Sequence, residues 1–168
     1  MNKLNKIKLA VSSLMIGAGV LAVPPAAMAE RSSPDQTALS RAAAKSADGA
    51  RKAMAKHKFE KAVTLAERAV AAMPRAAEYR LLLGEAYLSV GRFNAAETSF
   101  ADTLALSPAN PTAALKLALM KTANGHAGEA QSILDAHKSI LPVADYGLAL
   151  ALAGDPQAAV SALEQTVR

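Results

Sequence analysis

The stretch AEYRLLLGEAYLSVGRFNAAETSFADTLALSP, residues 77–108, decides the fold of this chain. Gly91 divides it into two apolar runs and takes the position just after a helix, where a left-handed backbone is favourable for glycine. Pro108 closes the second run, because the residue before a proline avoids the helical region. Since β-branched residues are scarce and no segment alternates apolar with polar residues, the stretch predicts two helices joined by a tight turn, at about 77–90 and 94–106.

The landmarks of this stretch recur along the chain. Pro74, Pro108 and Pro142 are spaced 34 residues apart. A period in this range is typical of stacked repeat arrays, in which each unit buries its core against its neighbours. The step from Gly125 to Gly154 is only 29 residues, so the last unit is predicted to have a shorter first helix or a closed-up connection. The predicted helices are 34–55, 59–72, 77–90, 94–106, 111–123, 127–140, 143–153 and 156–167.

Several residues predict where these helices begin and end. Ser33, Asn110 and Asp155 are each followed by a proline, the arrangement of an N-cap with proline in the first turn. His57 takes the position after the first predicted helix that glycine takes in the later units. The chain is therefore predicted to form four helical hairpins, and no strand is expected.

The repeated residues resemble the tetratricopeptide repeat. Residues 77–108 carry the clearest copy, with Leu83-Gly84, Tyr87, Ala96, Phe100 and Pro108. Weaker copies keep Gly49-Ala50, Phe59, Ala62, Ala66 and Pro74 before it, and Leu117-Ala118, Gly125, Ala130, Leu134 and Pro142 after it. A partial fourth copy keeps Gly147, Gly154, Ala159 and Leu163, whereas the tryptophan that often opens the family pattern is replaced by Arg80. The resemblance implies an all-α, right-handed superhelical stack of about four hairpins over residues 43–168, with units of about 43–76, 77–110, 111–140 and 141–168.

The resemblance also implies a concave groove lined by the first helix of each hairpin. Carried over position by position, the groove residues are Ala47, Arg51, Met54, Glu78, Leu81, Glu85, Leu88, Leu115, Leu119 and Thr122. Some family members hold a partner's terminal carboxylate in a clamp of Lys, Asn and Arg, but here only Arg51 and Lys116 are basic at those positions. What remains is an apolar groove with two acids, which suits a peptide bearing Leu-like anchors and a basic flank. The alternative is that these leucines belong to the core.

The N-terminus has the layout of a secretory signal peptide. Lys3, Lys6 and Lys8 precede an apolar run from residue 9 to 23, and Ala27-Met28-Ala29 follows, so cleavage is predicted after residue 29. The alternative is a membrane anchor, but 15 apolar residues fall short of the roughly 20 that a bilayer core needs. Residues 30–42 are predicted to be a polar leader and the start of the first helix. The chain has no cysteine to carry a lipid, so we expect an exported, periplasmic bacterial protein that is not inserted in a membrane after cleavage.

Composition argues against several functions. The formal charge of +5 becomes +2 without residues 1–29, because 16 basic and 14 acidic side chains remain. That balance does not favour nucleic acid, and tryptophan is absent. His57, His126 and His137 are too far apart in sequence to form a metal-ligand pair on one helix face, and no catalytic motif is present, so neither a cofactor nor enzymatic activity is expected. The favoured hypothesis is an exported adaptor that binds a peptide or protein and serves in pilus, secretion or cell-wall assembly. The alternatives are a repeat module that associates with itself through its C-terminal end, and a fragment of a larger peptidoglycan-associated protein.

Overall fold

A computed structural model describes residues 34–164 of the chain. Within this range every regular element is a helix, as the sequence predicts. The predicted signal peptide, the Ser33 cap and the last residues of the eighth predicted helix lie outside the described residues. The eight helices are α1 (Pro34–Ala55), α2 (Phe59–Ala72), α3 (Ala77–Ser89), α4 (Phe93–Leu106), α5 (Pro111–Ala123), α6 (Ala127–His137), α7 (Val143–Leu152) and α8 (Pro156–Glu164).

Consecutive helices pack as four hairpins, α1 with α2, α3 with α4, α5 with α6 and α7 with α8. The predicted bounds agree to within a residue for the first five helices. α6 ends at His137, three residues earlier than predicted, because residues 138–141 form a turn in place of its last helical turn. α7 starts directly after Pro142 and has 10 residues, against 13 in α3 and in α5. The 29-residue step in the sequence therefore corresponds to a shorter first helix in the last hairpin.

The predicted helix ends have the expected backbone. Gly91, Gly125 and Gly154 follow their helices with φ of 74°, 81° and 89°. His57 takes the same place with φ of 54°, the one non-glycine residue among those described with a positive φ. Two caps are also as predicted: Asn110 Oδ1 accepts from the backbone N–H of Ala113, and Asp155 Oδ1 from that of Ala158, both at 2.9 Å.

The helices of each hairpin cross at small residues. Ala62, Ala96 and Ala130 are fully buried and Ala159 is 4% exposed, as expected where larger side chains would force two helices apart. The crossing of α3 with α4 is especially close, because a Cβ built on Gly84 would lie 2.6 Å from Cε1 of Phe100. Gly147 and Leu163 repeat this arrangement in the last hairpin, where a Cβ on the glycine would lie 2.9 Å from the leucine Cγ.

The apolar core consists of three clusters. One is built from α1, α2 and α3, and another from α5 to α8. The third joins them, with Ala96 and Phe100 of α4 packed against Leu117 and Met120 of α5. The backbones of α1 and α3 lie side by side, as do those of α5 and α7, whereas α3 and α5 approach each other less closely. The first helices of the hairpins therefore form one row with its widest gap in the middle.

Two basic side chains of this row connect it to the second helices of the hairpins. The Arg80 guanidinium donates to the carbonyl of Pro74 at 3.0 Å and to Asp102 Oδ2 at 2.5 Å, which ties α3 to the turn before it and to α4. Lys121 Nζ lies 2.9 Å from a carboxylate oxygen of Glu97 and 2.8 Å from one of Glu129, and so connects α5 to α4 and α6. Hydrogen bonds to Glu129 and then to Glu97 raise the pKa of Lys121 above its ordinary value. None of the helices in residues 34–164 is long and apolar enough to cross a bilayer.

Candidate peptide-binding groove

An open cavity of about 510 Å3 lies on the row of first helices. Arg51 of α1 lines it on one side, and residues of α3 from its first turn to Glu85 line it on the other. The turn between α4 and α5 closes the far side with Ser107 and Asn110. The cavity thus lies along α3, between α1 and the turn that leads into α5.

Four of the predicted groove residues line this cavity together: Arg51, Glu78, Leu81 and Glu85. The other five do not line it: Met54 is on α1, Leu88 on α3, and Leu115, Leu119 and Thr122 on α5. All five are half-buried. Ala47, which the resemblance also placed on the groove, is fully buried.

The groove leucines divide their surface between core and solvent. Leu81 and Leu88 pack against the cluster that contains Phe100, and Leu115 and Leu119 pack against the cluster of α5 to α8. None of the four is fully buried. Each leucine therefore supports the core with part of its side chain and leaves the rest accessible.

The charges of the cavity are of both signs. The Arg51 guanidinium lies 3.2 Å from Asp48 on the same helix, and both side chains are more than half exposed, so this ion pair adds little stability. Glu78 is exposed and Glu85 half-buried, seven residues apart on α3. Burial, and then the neighbouring carboxylate of Glu78, raise the pKa of Tyr79. The Tyr79 hydroxyl therefore keeps its proton at neutral pH.

α7 continues the row with two leucines that the sequence analysis did not assign to the groove. Leu148 and Leu152 are 62% and 56% exposed and lie one helical turn apart. Leu148 follows Leu119 by 29 residues, the same step that separates Gly125 from Gly154. The shortened period of the last unit was thus a signal that could have predicted Leu148.

Comparison with known proteins identifies the family. Residues 47–111 match the sequence model of the tetratricopeptide repeat family, and the solved structures that resemble the chain are tetratricopeptide repeat domains or proteins of that fold. Over these residues the chain carries the tetratricopeptide repeat pattern, and its fold is the tetratricopeptide repeat fold. No sequence among curated proteins matches it.

Three solved structures illustrate the likeness of this chain to tetratricopeptide repeat folds. The second repeat domain of Spaghetti, bound to an HSP90 peptide, is 20% identical with a TM-score of 0.59, and the match covers 62% of this chain and 96% of that one. MamA is 21% identical with a TM-score of 0.64, over 74% and 76% of the two chains. A thermophilic repeat protein of Thermus thermophilus is 23% identical with a TM-score of 0.62, over 74% and 72%. At these identities the likeness shows the fold.

The residues that carried the repeat pattern in the sequence have structural roles in this fold. Gly84, Ala96 and Phe100 form the crossing of α3 with α4. The hydroxyl of Tyr87 donates to Glu67 of the preceding hairpin at 2.9 Å. Pro74 and Pro108 lie in the turns between hairpins, whereas Pro142 directly precedes α7.

The histidines do not form a site. No group of three or more metal-ligating side chains occurs in the part of the chain that the structure describes. His137 Nδ1 lies 2.7 Å from the carbonyl oxygen of Ile133 on its own helix, and His126 Nδ1 lies 3.7 Å from Glu129. His57 packs edge-on against Phe59, with 5.6 Å between the ring centroids. These contacts are local to each histidine.

Proposed function

We propose that this tetratricopeptide repeat protein is a scaffold that binds a segment of a partner protein along the row formed by α1, α3, α5 and α7. The observation that carries the proposal is the open cavity lined by Arg51, Glu78, Leu81 and Glu85. Similar repeat domains hold peptides: two domains of Spaghetti are bound to an HSP90 peptide, and one domain of yeast Sti1 forms a complex with pHsp70. These likenesses support binding of a polypeptide. The type of polypeptide that fits depends on this chain's own groove residues.

The chemistry of the groove favours a segment with apolar anchors and a basic flank. Leu81, Leu115, Leu119 and Leu148 offer accessible apolar surface at intervals along the row. Glu78 and Glu85 place two carboxylates beside the first of these leucines, where lysine or arginine of a partner would be attracted. A segment that ends in a carboxylate has less support, because Arg51 is paired with Asp48.

The setting we propose is the bacterial envelope. The pattern of residues 1–29 supports export, and the apolar run within it is short for a membrane span. An exported repeat scaffold of this size would position other proteins during pilus, secretion or cell-wall assembly. It would do so as a binding protein without chemistry of its own.

Replacing Leu81 and Leu119 with glutamate should weaken capture of the partner at least about tenfold, because each change places a charge where an apolar anchor binds. The measurement is quantitative mass spectrometry of proteins retained from an envelope extract. A photo-crosslinking residue at Leu148 identifies the captured segment, which we expect to contain Leu-like residues and nearby Lys or Arg.

The control carries the same charge change elsewhere. Leu39 and Phe93 are 50% and 56% exposed and lie on α1 and α4 away from the cavity. The Leu39→Glu and Phe93→Glu double variant should retain the partner. Circular dichroism establishes that both double variants are folded. Equal capture by the folded groove variant and the wild type would refute the groove assignment.

Self-association through the C-terminal end is the second candidate function. It is favoured by Val160 and Leu163 of α8, which are 56% and 42% exposed at the last described hairpin. If this end is an interface, light scattering during size-exclusion chromatography should give a mass that rises with concentration. Val160→Glu should then return the protein to a monomer, because a charge would be buried in the apolar contact. A monomer at all concentrations would eliminate this candidate.

A further inference from the structure

A second cavity, of about 490 Å3, lies between α1 and α2 and is separate from the groove. Six of the ten residues that line it are basic and none is acidic. The basic residues are Lys45, Lys52, Lys56, Lys58, Lys61 and Arg68. We call this cavity the α1–α2 cleft.

Helical spacing explains why these charges gather. Lys45 and Lys52 are seven residues apart, which places them on one face of α1, and Lys56 directly follows the end of that helix. Lys61 and Arg68 are seven apart on α2, and Lys58 immediately precedes that helix. Because the two helices pack as a hairpin, each supplies one basic rim of the cleft.

Three of the four acids of the same two helices are engaged elsewhere. Asp48 pairs with Arg51 on the groove side at 3.2 Å, Glu60 with Arg92 of the next hairpin at 3.1 Å, and Glu67 accepts from Tyr87 at 2.9 Å. Among residues 34–164, no carboxylate lies within 4.0 Å of any of the six basic groups of the cleft. Their positive charge is therefore uncompensated by the described part of the chain.

Charge is also distributed unevenly along the array, with the excess of basic residues in the first hairpin. Residues 34–76 contain nine basic and four acidic side chains, a balance of +5, whereas residues 77–164 contain five and nine, a balance of −4. The near-neutral total conceals this separation. An anionic partner is therefore attracted to the first hairpin and repelled by the remainder.

The floor of the cleft is apolar. A Cβ built on Gly49 would lie 3.2 Å from Cδ1 of Leu65, so the glycine leaves just enough space for the leucine to lie against α1. Leu65 is half-buried beside the buried Ala53. No aromatic side chain lines the cleft. Two basic rims over an apolar floor match a chain segment with carboxylates on both sides of one apolar residue.

We propose that the α1–α2 cleft is a second binding site, which takes an acidic segment of a partner protein with an apolar side chain seated on Leu65. Nucleic acid fits less well, since single strands bind through aromatic stacking and a duplex cannot place bases on a leucine between two helices. A bilayer surface is too flat to reach that floor. The site is independent of the groove, so a scaffold with both can hold an acidic and an apolar, basic segment at once.

The probe for this site is a fluorescein-labelled peptide of about ten residues that alternates Glu and Ala around one central Leu. Lys45 and Lys56 are 11 residues apart, roughly 16 Å along a helix, which an extended peptide spans in about five residues. Fluorescence anisotropy measures its binding to the full chain. We expect Lys52→Glu with Lys61→Glu to weaken binding at least about tenfold, and replacement of the peptide's Leu with Ser to weaken it severalfold.

The matched control is Arg75→Glu with Lys116→Glu. This variant has the same net charge, and both side chains lie outside the cleft, so its affinity should stay within about twofold of the wild type. The groove variant with glutamate at Leu81 and Leu119 should also bind the probe normally, which separates failure of this site from failure of the groove.

Two results with the peptide probe would overturn the proposal. One is that the wild type does not bind the peptide at low ionic strength, and the other is that the control variant loses as much affinity as the cleft variant. Binding of a DNA oligonucleotide or of phosphatidylglycerol vesicles that depends on the cleft and is tighter than binding of the peptide would also overturn it. So would self-association that is weakened by salt and abolished in the cleft variant.

Discussion

Phe100→Ala should lower the free energy of unfolding by about 3–5 kcal/mol, the range for removing a fully buried aromatic ring. Phe100 is 0% exposed and lies at the centre of the cluster that joins the first two hairpins to the last two. Its loss leaves a cavity against Gly84, which has no side chain to fill the space. Urea unfolding followed by circular dichroism measures the change.

A second phenylalanine on the same helix is the control. Phe93 is 56% exposed at the start of α4, so Phe93→Ala should cost less than about 1 kcal/mol. Because contacts in a repeat array are made mainly between neighbours, Phe100→Ala should also separate unfolding of the N-terminal and C-terminal hairpins. Similar losses for the two alanine variants would mean that Phe100 does not hold the array together.

Gly84→Ala should destabilise the protein by about 1–3 kcal/mol through overpacking. Helix propensity alone predicts the opposite sign, since alanine is favoured over glycine in a helix interior by about 1 kcal/mol. Steric contact prevails, because the new methyl group would lie 2.6 Å from Cε1 and 2.9 Å from Cδ1 of the buried Phe100 ring. Thermal unfolding of the variant should show a lower midpoint than that of the wild type.

Gly128→Ala provides the comparison of opposite sign. Gly128 lies in α6, and a Cβ built on it meets nothing within 4 Å, so alanine should stabilise by about 0.4–1 kcal/mol. A double-mutant cycle of Gly84→Ala with Phe100→Leu should further show coupling between the two positions. Stabilisation by alanine at both glycines would contradict the close crossing of α3 and α4.

Most of the fold was predictable from local chemistry. The turn glycines, the caps at Asn110 and Asp155 and the buried alanines each have one energetically favoured place, and the 34-residue period fixes their order. The early end of α6 was not predictable, because no glycine or proline marks His137. The role of Arg80 was also missed, since its partners Pro74 and Asp102 are brought together only when α3 packs on α4.

The candidate site was predictable in part. The family pattern placed Arg51, Glu78, Leu81 and Glu85 on one face, and these four line a single cavity. The depth of each leucine depends on packing between hairpins, which sequence spacing does not determine. The α1–α2 cleft was overlooked for a different reason: net charge sums over the whole chain and so conceals a cluster of like charges balanced by acids elsewhere.

The wider spacing of α3 and α5 has a mechanical consequence. The cluster around Phe100 and the ion pair of Lys121 with Glu97 join the two halves there, whereas the first helices α3 and α5 contribute little to this seam. Bending at the seam would therefore change the width of the groove between α3 and α5. A bound segment that contacts both Leu81 and Leu115 would set the angle between the two N-terminal and the two C-terminal hairpins. One scaffold could then bind segments of different width.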